Sequence, residues 1–255
     1  MNVISQGGKD ETRKGKEPLM NSSISGLKLV QPPSIVPRKL LHWMGIISIL
    51  GAIGAVVADL LLQYDPQGNY STIAPLTIAL WRVLAGHFLG VFSIPLEITG
   101  YWVVCTILTE TAPRLFRALF WIMAYAIVIG TVFHGTVSLF ILVEQTAHNV
   151  IGTAQVQLLS LQNTIQILIA PLSVFFLVCY LVTWSIVVVT ILRTSTRYPK
   201  WCVLSVPALG SLIITGIYES HIVPLLGNIL FPTVLSLPHL IFFLLSTIVL
   251  FNKTR

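Results

Sequence analysis

Charge is what this sequence most lacks. Of its 255 residues only 9% are Asp, Glu, Lys or Arg, against about 25% in soluble globular domains, whose surfaces must be hydrated. With 55% hydrophobic residues and a mean hydropathy of +0.86, the chain has too little polar surface for water to solvate it. Cysteine is also scarce. Cys105, Cys179 and Cys202 show no metal-ligand spacing, build no disulfide scaffold, and are read as packing residues. No Gly-rich phosphate loop, His-Glu-x-x-His, Gly-x-Ser-x-Gly or Cys-x-x-Cys occurs, which removes the commonest motif-borne enzyme chemistries.

What is present is a series of long apolar runs. Six reach spanning length, at about 20 residues for a ~30 Å hydrocarbon layer: 40–63, 83–108, 115–143, 164–192, 201–218 and 233–251. They are continuously apolar, whereas a lipid-facing barrel strand alternates. The expected fold is all-α, a polytopic transmembrane bundle of about six helices occupying residues 39–255. Residues 1–38 differ in kind. The mixed-charge run from Lys9 to Pro18, followed by Pro32, Pro33 and Pro37, cannot bury enough apolar surface to offset ordering entropy, and reads as a disordered basic tail. The first apolar run starts near Leu40 and lacks a small-residue cleavage site, so it is read as a retained helix, not a signal peptide. No internal repeat is evident.

The basic residues set the orientation. The tail carries Lys9, Arg13, Lys14, Lys16, Lys28, Arg38 and Lys39; later segments carry Arg114 and Arg117, then Arg193, Arg197 and Lys200, then Lys253 and Arg255. These alternate segments hold 14 of the 15 basic residues, which by the positive-inside rule makes both termini cytoplasmic in a multi-pass membrane protein. The net charge of +6 is thereby a topology signal and an attraction to anionic lipid, not a nucleic-acid footprint.

Each embedded polar group then acquires a depth. Asp59, Arg82, His87, His134, Glu144, Glu219, His221 and His239 fall in the outer half, Glu97 falls near the midplane, and no span contains lysine. A charge at a helix centre costs ~2.5–3.5 kcal/mol on insertion scales, so such groups face the bundle interior or a wet cavity. Small residues mark the interior face: Gly45, Ser48, Ala52, Ala55 and Asp59 recur at spacings of three and four, Gly86 and Gly90 flank His87, and Gly130, His134 and Ser138 share a face, as do Ser211, Thr215 and Glu219, and Ser236 with His239. These patterns predict a polar cavity open to the extracytoplasmic side, with Asp59, Arg82, His87, Glu97, His134, Glu219 and His239 as candidates. Asp59 and Arg82 are expected to form an ion pair or share a hydrogen-bond network. Glu144, Glu219 and His221 also fit ordinary solvated helix ends. Pro95, Pro171, Pro207 and Pro238 read as kinks. The connections 64–81 and 220–232 read as lids over the cavity, and 145–163 as a segment lying along the interface.

Ala58-Asp59 closing a small-residue helix, Arg82-x-x-x-Gly86 with Gly90 and Pro95, and Phe133-His134-Gly135 resemble an uncharacterised family of bacterial polytopic membrane proteins known as a domain of unknown function. The resemblance spans most of the membrane body and implies a bacterial envelope membrane protein, expected in the inner (plasma) membrane, without implying a mechanism. The first functional reading is binding or transport of a small solute or ion. An alternative is a membrane-embedded metal-dependent hydrolase similar to the alkaline ceramidase and adiponectin-receptor class, with His87, His134 and His239 on zinc; that class has a His-x-x-x-His pair and typically seven spans, and this chain has neither. Bis-histidine haem ligation and a structural or assembly role complete the alternatives. No cofactor is predicted; the expected partners are the lipid bilayer and a small ligand.

Overall fold

The computed structural model describes residues 37–65, 78–221 and 224–252. The expected disordered tail, and positions 66–77 of the first expected lid, lie outside the described residues. Among the described residues every regular element is helical: α1 (Arg38–Gln63), α2 (Leu80–Ser93), α3 (Glu97–Leu108), α4 (Pro113–His148), α5 (Thr153–Arg193), α6 (Pro207–Ser220), α7 (Pro224–Leu230) and α8 (Ser236–Phe251), with 3-10 turns at Ile94–Leu96, Lys200–Ser205 and Phe231–Thr233. Four stretches are long and apolar enough to cross a membrane: α1, the 29-residue run Leu80–Leu108, α4 and α5. The bent pair Leu226–Thr233 and Ser236–Phe251, turning through 73°, makes a fifth if taken as one span. The segment expected as another single span, 201–218, is divided at Val206 into a 3-10 turn and the 14-residue α6.

The sequence of α1 explains its place. Its buried face is Gly45, Ser48, Gly51, Ala52, Ala55 and Ala58, while Trp43, Leu50 and Val57 are exposed. Small residues inward and large apolar residues outward is the arrangement of a helix solvated by lipid, where close backbone approach drives association. α1 packs against α2, α3 and α8 on that face; α4 packs along α5 and touches α2 and α3. A side chain at Gly86 would meet Leu62 Cγ at 2.7 Å and the Ala58 carbonyl at 3.1 Å, so glycine there sets how closely α2 lies on α1.

The prolines divide by position. Pro95 sits in the 3-10 turn that breaks the second span, and just beyond it Thr99 donates to the Met44 carbonyl at 2.9 Å, tying α3 to α1. Pro171 lies inside an uninterrupted α5. Pro207 and Pro238, expected as kinks, instead stand in the first turns of α6 and α8, where the missing N–H has no intrahelical partner to lose.

α4 and α5, with 36 and 41 residues, are ~54 and ~62 Å long at 1.5 Å per residue. Residues 145–163 are therefore mostly helical ends, not an interfacial strip. The chain reverses at Gly152, whose φ of 75° favours glycine. Glu144, expected as a solvated helix end, is buried because α4 continues past it to His148. At the opposite end of the bundle Arg197 clasps Glu110 at 2.6 Å. Lys200 Nζ caps α5 by donating to the carbonyls of Ile191, Leu192 and Thr194, as expected for a cation at a helix C-terminus. The largest core side chains, Tyr101, Trp184, Phe242 and Phe243, meet where α3, α5 and α8 converge.

Candidate functional site

A cavity of ≈ 360 Å³ lies among α1, α3, α4, α5 and the start of α8. Asp59, Glu97, His134 and His239 line it, together with Gln63, Ser173 and Ser236. Its remaining wall is apolar, including Ile127, Phe133, Val137, Phe176 and Leu235. Pro232, Val234 and Leu235 close one side, so the end of the expected second lid is a wall of the cavity.

His134 is the hinge of the arrangement. Its Nε2 faces the Gly86 carbonyl at 3.2 Å and its Nδ1 stands 3.5 Å from Asp59. A carbonyl only accepts, so Nε2 carries a hydrogen and Nδ1 is the site that gains or loses one. An ionised Asp59 facing an Nδ1 lone pair would be repulsive. One proton, held by either partner, makes the pair neutral overall. The imidazole has room only because residue 90 is glycine: a Cβ there would overlap its ring, with Cε1 at 2.6 Å. Gly86 and Gly90 thus serve two neighbours, admitting α1 and seating a histidine from α4.

His239 is fixed more fully. Its Nδ1 donates to the Leu235 carbonyl at 2.7 Å, which leaves Nε2 to accept from the Tyr101 hydroxyl. Both nitrogens of this ring are engaged, and its faces and edges are packed by Tyr101, Tyr180, Trp184 and Phe243. Glu97 is 3% exposed and turns a carboxylate into the cavity with no hydrogen-bond or ion-pair partner among the described residues. Ser236, 5% exposed, lies beside Asp59, yet its hydroxyl has no partner in hydrogen-bond geometry.

The other three candidates lie elsewhere. Arg82 does not pair with Asp59 among the described residues; it donates to the Leu60 and Tyr64 carbonyls at 3.0 and 2.9 Å. The Tyr64 carbonyl lies past the end of α1, and the Leu60 carbonyl, which already accepts from the Tyr64 N–H, takes the guanidinium as a second donor; a cation at a helix C-terminus also suits the helix dipole. His87 sits outside the cavity wall, edge-on to Phe88, with Nδ1 unpartnered. Glu219 is exposed at the end of α6. No group of three His, Cys, Asp or Glu side chains among the described residues is placed to hold a metal ion, so His87, His134 and His239 do not form the zinc site that the hydrolase alternative needs.

Sequence reasoning passed over Tyr101 and treated Ser236 only as a face-mate of His239. The signal for Ser236 was present, since it is a hydroxyl three residues before a buried histidine on one helix. For Tyr101 only its place in an apolar run marked it, and its partner is 138 residues away in sequence.

Residues 33–253 match the sequence profile of a family of unknown function, DUF6796. The chain belongs to that family. Its extent covers all the described helices, including every residue of the cavity. No curated protein and no solved structure matches the chain.

Proposed function

We propose that this protein is a multi-pass integral membrane protein of the bacterial inner membrane, with both termini cytoplasmic, whose cavity binds a small solute or ion entering from the extracytoplasmic side. In this reading α6, with the 3-10 turn before it, and the bent α7–α8 pair supply the last two of six crossings. The 14 basic residues confined to alternate segments support the orientation. The observation that carries the binding role is the cavity itself: polar groups from four separate helical segments, Asp59, Glu97, His134 and His239, converge on one concave space. Small-molecule sites are mostly apolar concavities of about 300–1,000 Å³ holding a few convergent polar groups, and this one has that size and make-up. Transport is the natural extension for a site that reaches from the outer half to the midplane beside broken helices.

Cysteine accessibility in intact cells tests the reading. Cys105, Cys179 and Cys202 are buried and are first replaced by serine or alanine. Gly130→Cys and Leu235→Cys then place thiols on the cavity wall; position 130 tolerates one, since a Cβ there comes no closer than 3.5 Å to Phe176. A charged, membrane-impermeant methanethiosulfonate added outside should label both, and should spare Val132→Cys on the exposed apolar face. Labelling only from the cytoplasmic side would reverse the orientation. Inertness at both wall positions would leave a sealed packing defect and a structural or assembly role.

A further inference from the structure

From the partners of each polar group around this cavity, we infer that its ligand is a protonated amine carried on an apolar body, with Glu97 as the counter-ion. The inference deepens the solute-binding reading and rests on it. Among the described residues no lysine or arginine lines the space. The nearest arginine in sequence, Arg82, spends its guanidinium on the end of α1. His239 has both ring nitrogens satisfied in its neutral form, donating to Leu235 and accepting from Tyr101. His134 Nδ1 stands 3.5 Å from Asp59, and one proton held by either of them leaves that pair neutral. The Glu97 carboxyl group is left over, and a cation beside it is what would hold it ionised.

A buried carboxylate without a partner is costly and is stabilised by a cation that hydrogen-bonds to it. Ser236 supplies the second sign of a ligand: a hydroxyl 5% exposed, on the same cavity wall and beside Asp59, with no partner in hydrogen-bond geometry among the described residues. An ammonium provides the donors that Glu97 and the Ser236 oxygen lack. The wall determines the rest of the ligand. Ser173 is spent on the Ile169 carbonyl, which leaves the Gln63 amide as one neutral polar group where a sugar needs many, while Ile127, Phe133, Val137, Phe176 and Leu235 bury an apolar body. Phe133 and Phe176 can also turn ring faces to a cation. An anion would meet Glu97 without any compensating charge, and a bare metal ion would find too few ligands.

Three probes of matched shape separate the possibilities: phenylbutylamine, phenylbutanol and phenylbutyrate, added at pH 7 to the full-length protein in a non-ionic detergent. Binding is read by equilibrium dialysis and by the shift in thermal unfolding midpoint. The amine should bind at least about tenfold more tightly than the alcohol, equivalent to ~1.4 kcal/mol, and the butyrate more weakly than both. The neutral alcohol partitions into micelles more readily than the amine, so micelle uptake works against the expected order. Glu97→Gln should reduce the amine to the level of the alcohol. Equal binding of amine and alcohol, tighter binding of butyrate, or an amine preference that survives Glu97→Gln would each overturn the inference while leaving a solute cavity in place. Binding of none of the three would remove the cavity reading as well. If Glu97→Gln fails to fold, the three-probe comparison on the unaltered protein still decides.

Discussion

Replacing Gly90 by alanine reverses the usual sign of that change. In an exposed helix interior, alanine is favoured over glycine by about 0.8–1.0 kcal/mol. At position 90 the added methyl group has no free space, because it overlaps the His134 imidazole, with Cε1 only 2.6 Å away. The ring cannot simply swing clear, since its two nitrogens are placed by Gly86 and Asp59. Overpacking of this kind costs ~1–3 kcal/mol, so the net change for Gly90→Ala is a loss of roughly 0–2 kcal/mol. Gly216→Ala is the control: it lies within α6 with nothing inside 4 Å of the new carbon and should show the ordinary gain. Reversible unfolding in detergent, followed through thiol exposure or tryptophan fluorescence, reads both. Coupling provides the sharper test. In a His134→Ala background the obstructing ring is gone, and Gly90→Ala should turn neutral or stabilising. Stabilisation by Gly90→Ala in the unaltered protein, matching Gly216→Ala, would show that His134 does not rest on residue 90 and that the site geometry is wrong.

Arg82→Ala strips two carbonyl acceptors of a charged donor and should destabilise by roughly 1.5–3 kcal/mol, while a double-mutant cycle between positions 59 and 82 returns no coupling and the cycle between 59 and 134 returns ~1 kcal/mol or more. Tyr198→Phe removes the 2.9 Å hydrogen bond to Ser246 and should lower stability by about 0.5–1.5 kcal/mol without altering solute binding; unchanged stability would mean that the hydroxyl finds water instead. The three native cysteines, all buried, should resist a polar alkylating reagent until the protein unfolds, and rapid labelling of Cys202, which is fully buried in the 3-10 turn before α6, would show that this turn opens.

How much of this was legible in the sequence depends on the kind of interaction involved. The helices themselves were, because long apolar runs with few charges permit no other backbone solution in lipid. The interior face of α1 was also legible, since small residues at spacings of three and four mark close packing irrespective of the partner. Asp59, Glu97, His134 and His239 followed from the same logic: a polar group within an apolar span needs protein or water beside it. Helix order around the bundle is not encoded in any local pattern, so the Tyr101–His239 pair could not be read. Arg82 was misjudged for a physical reason. Similar depth and opposite charge suggested Asp59, but the Leu60 and Tyr64 carbonyls at the end of α1 take the guanidinium, and Asp59 faces His134 instead. The division of residues 200–220 turned on Pro207, which starts a helix more readily than it bends one. The extension of α4 and α5 beyond hydrocarbon length was hidden because Gln and Asn near their ends read as loop residues while carrying adequate helix propensity.

The most direct measurement is a cross-linking experiment on the full-length protein with its native cysteines replaced. Asp59→Cys is combined in turn with His134→Cys and with Ser236→Cys, treated with the shortest bifunctional methanethiosulfonate, and digested for mass spectrometry. Asp59 lies 3.5 Å from His134 and beside Ser236, whereas Phe88 points outward from α2 and is 56% exposed. Bridges from position 59 to both 134 and 236, with none to Phe88→Cys, are the predicted result. A bridge to neither would contradict the convergence of α1, α4 and α8 on one cavity, and with it the functional account.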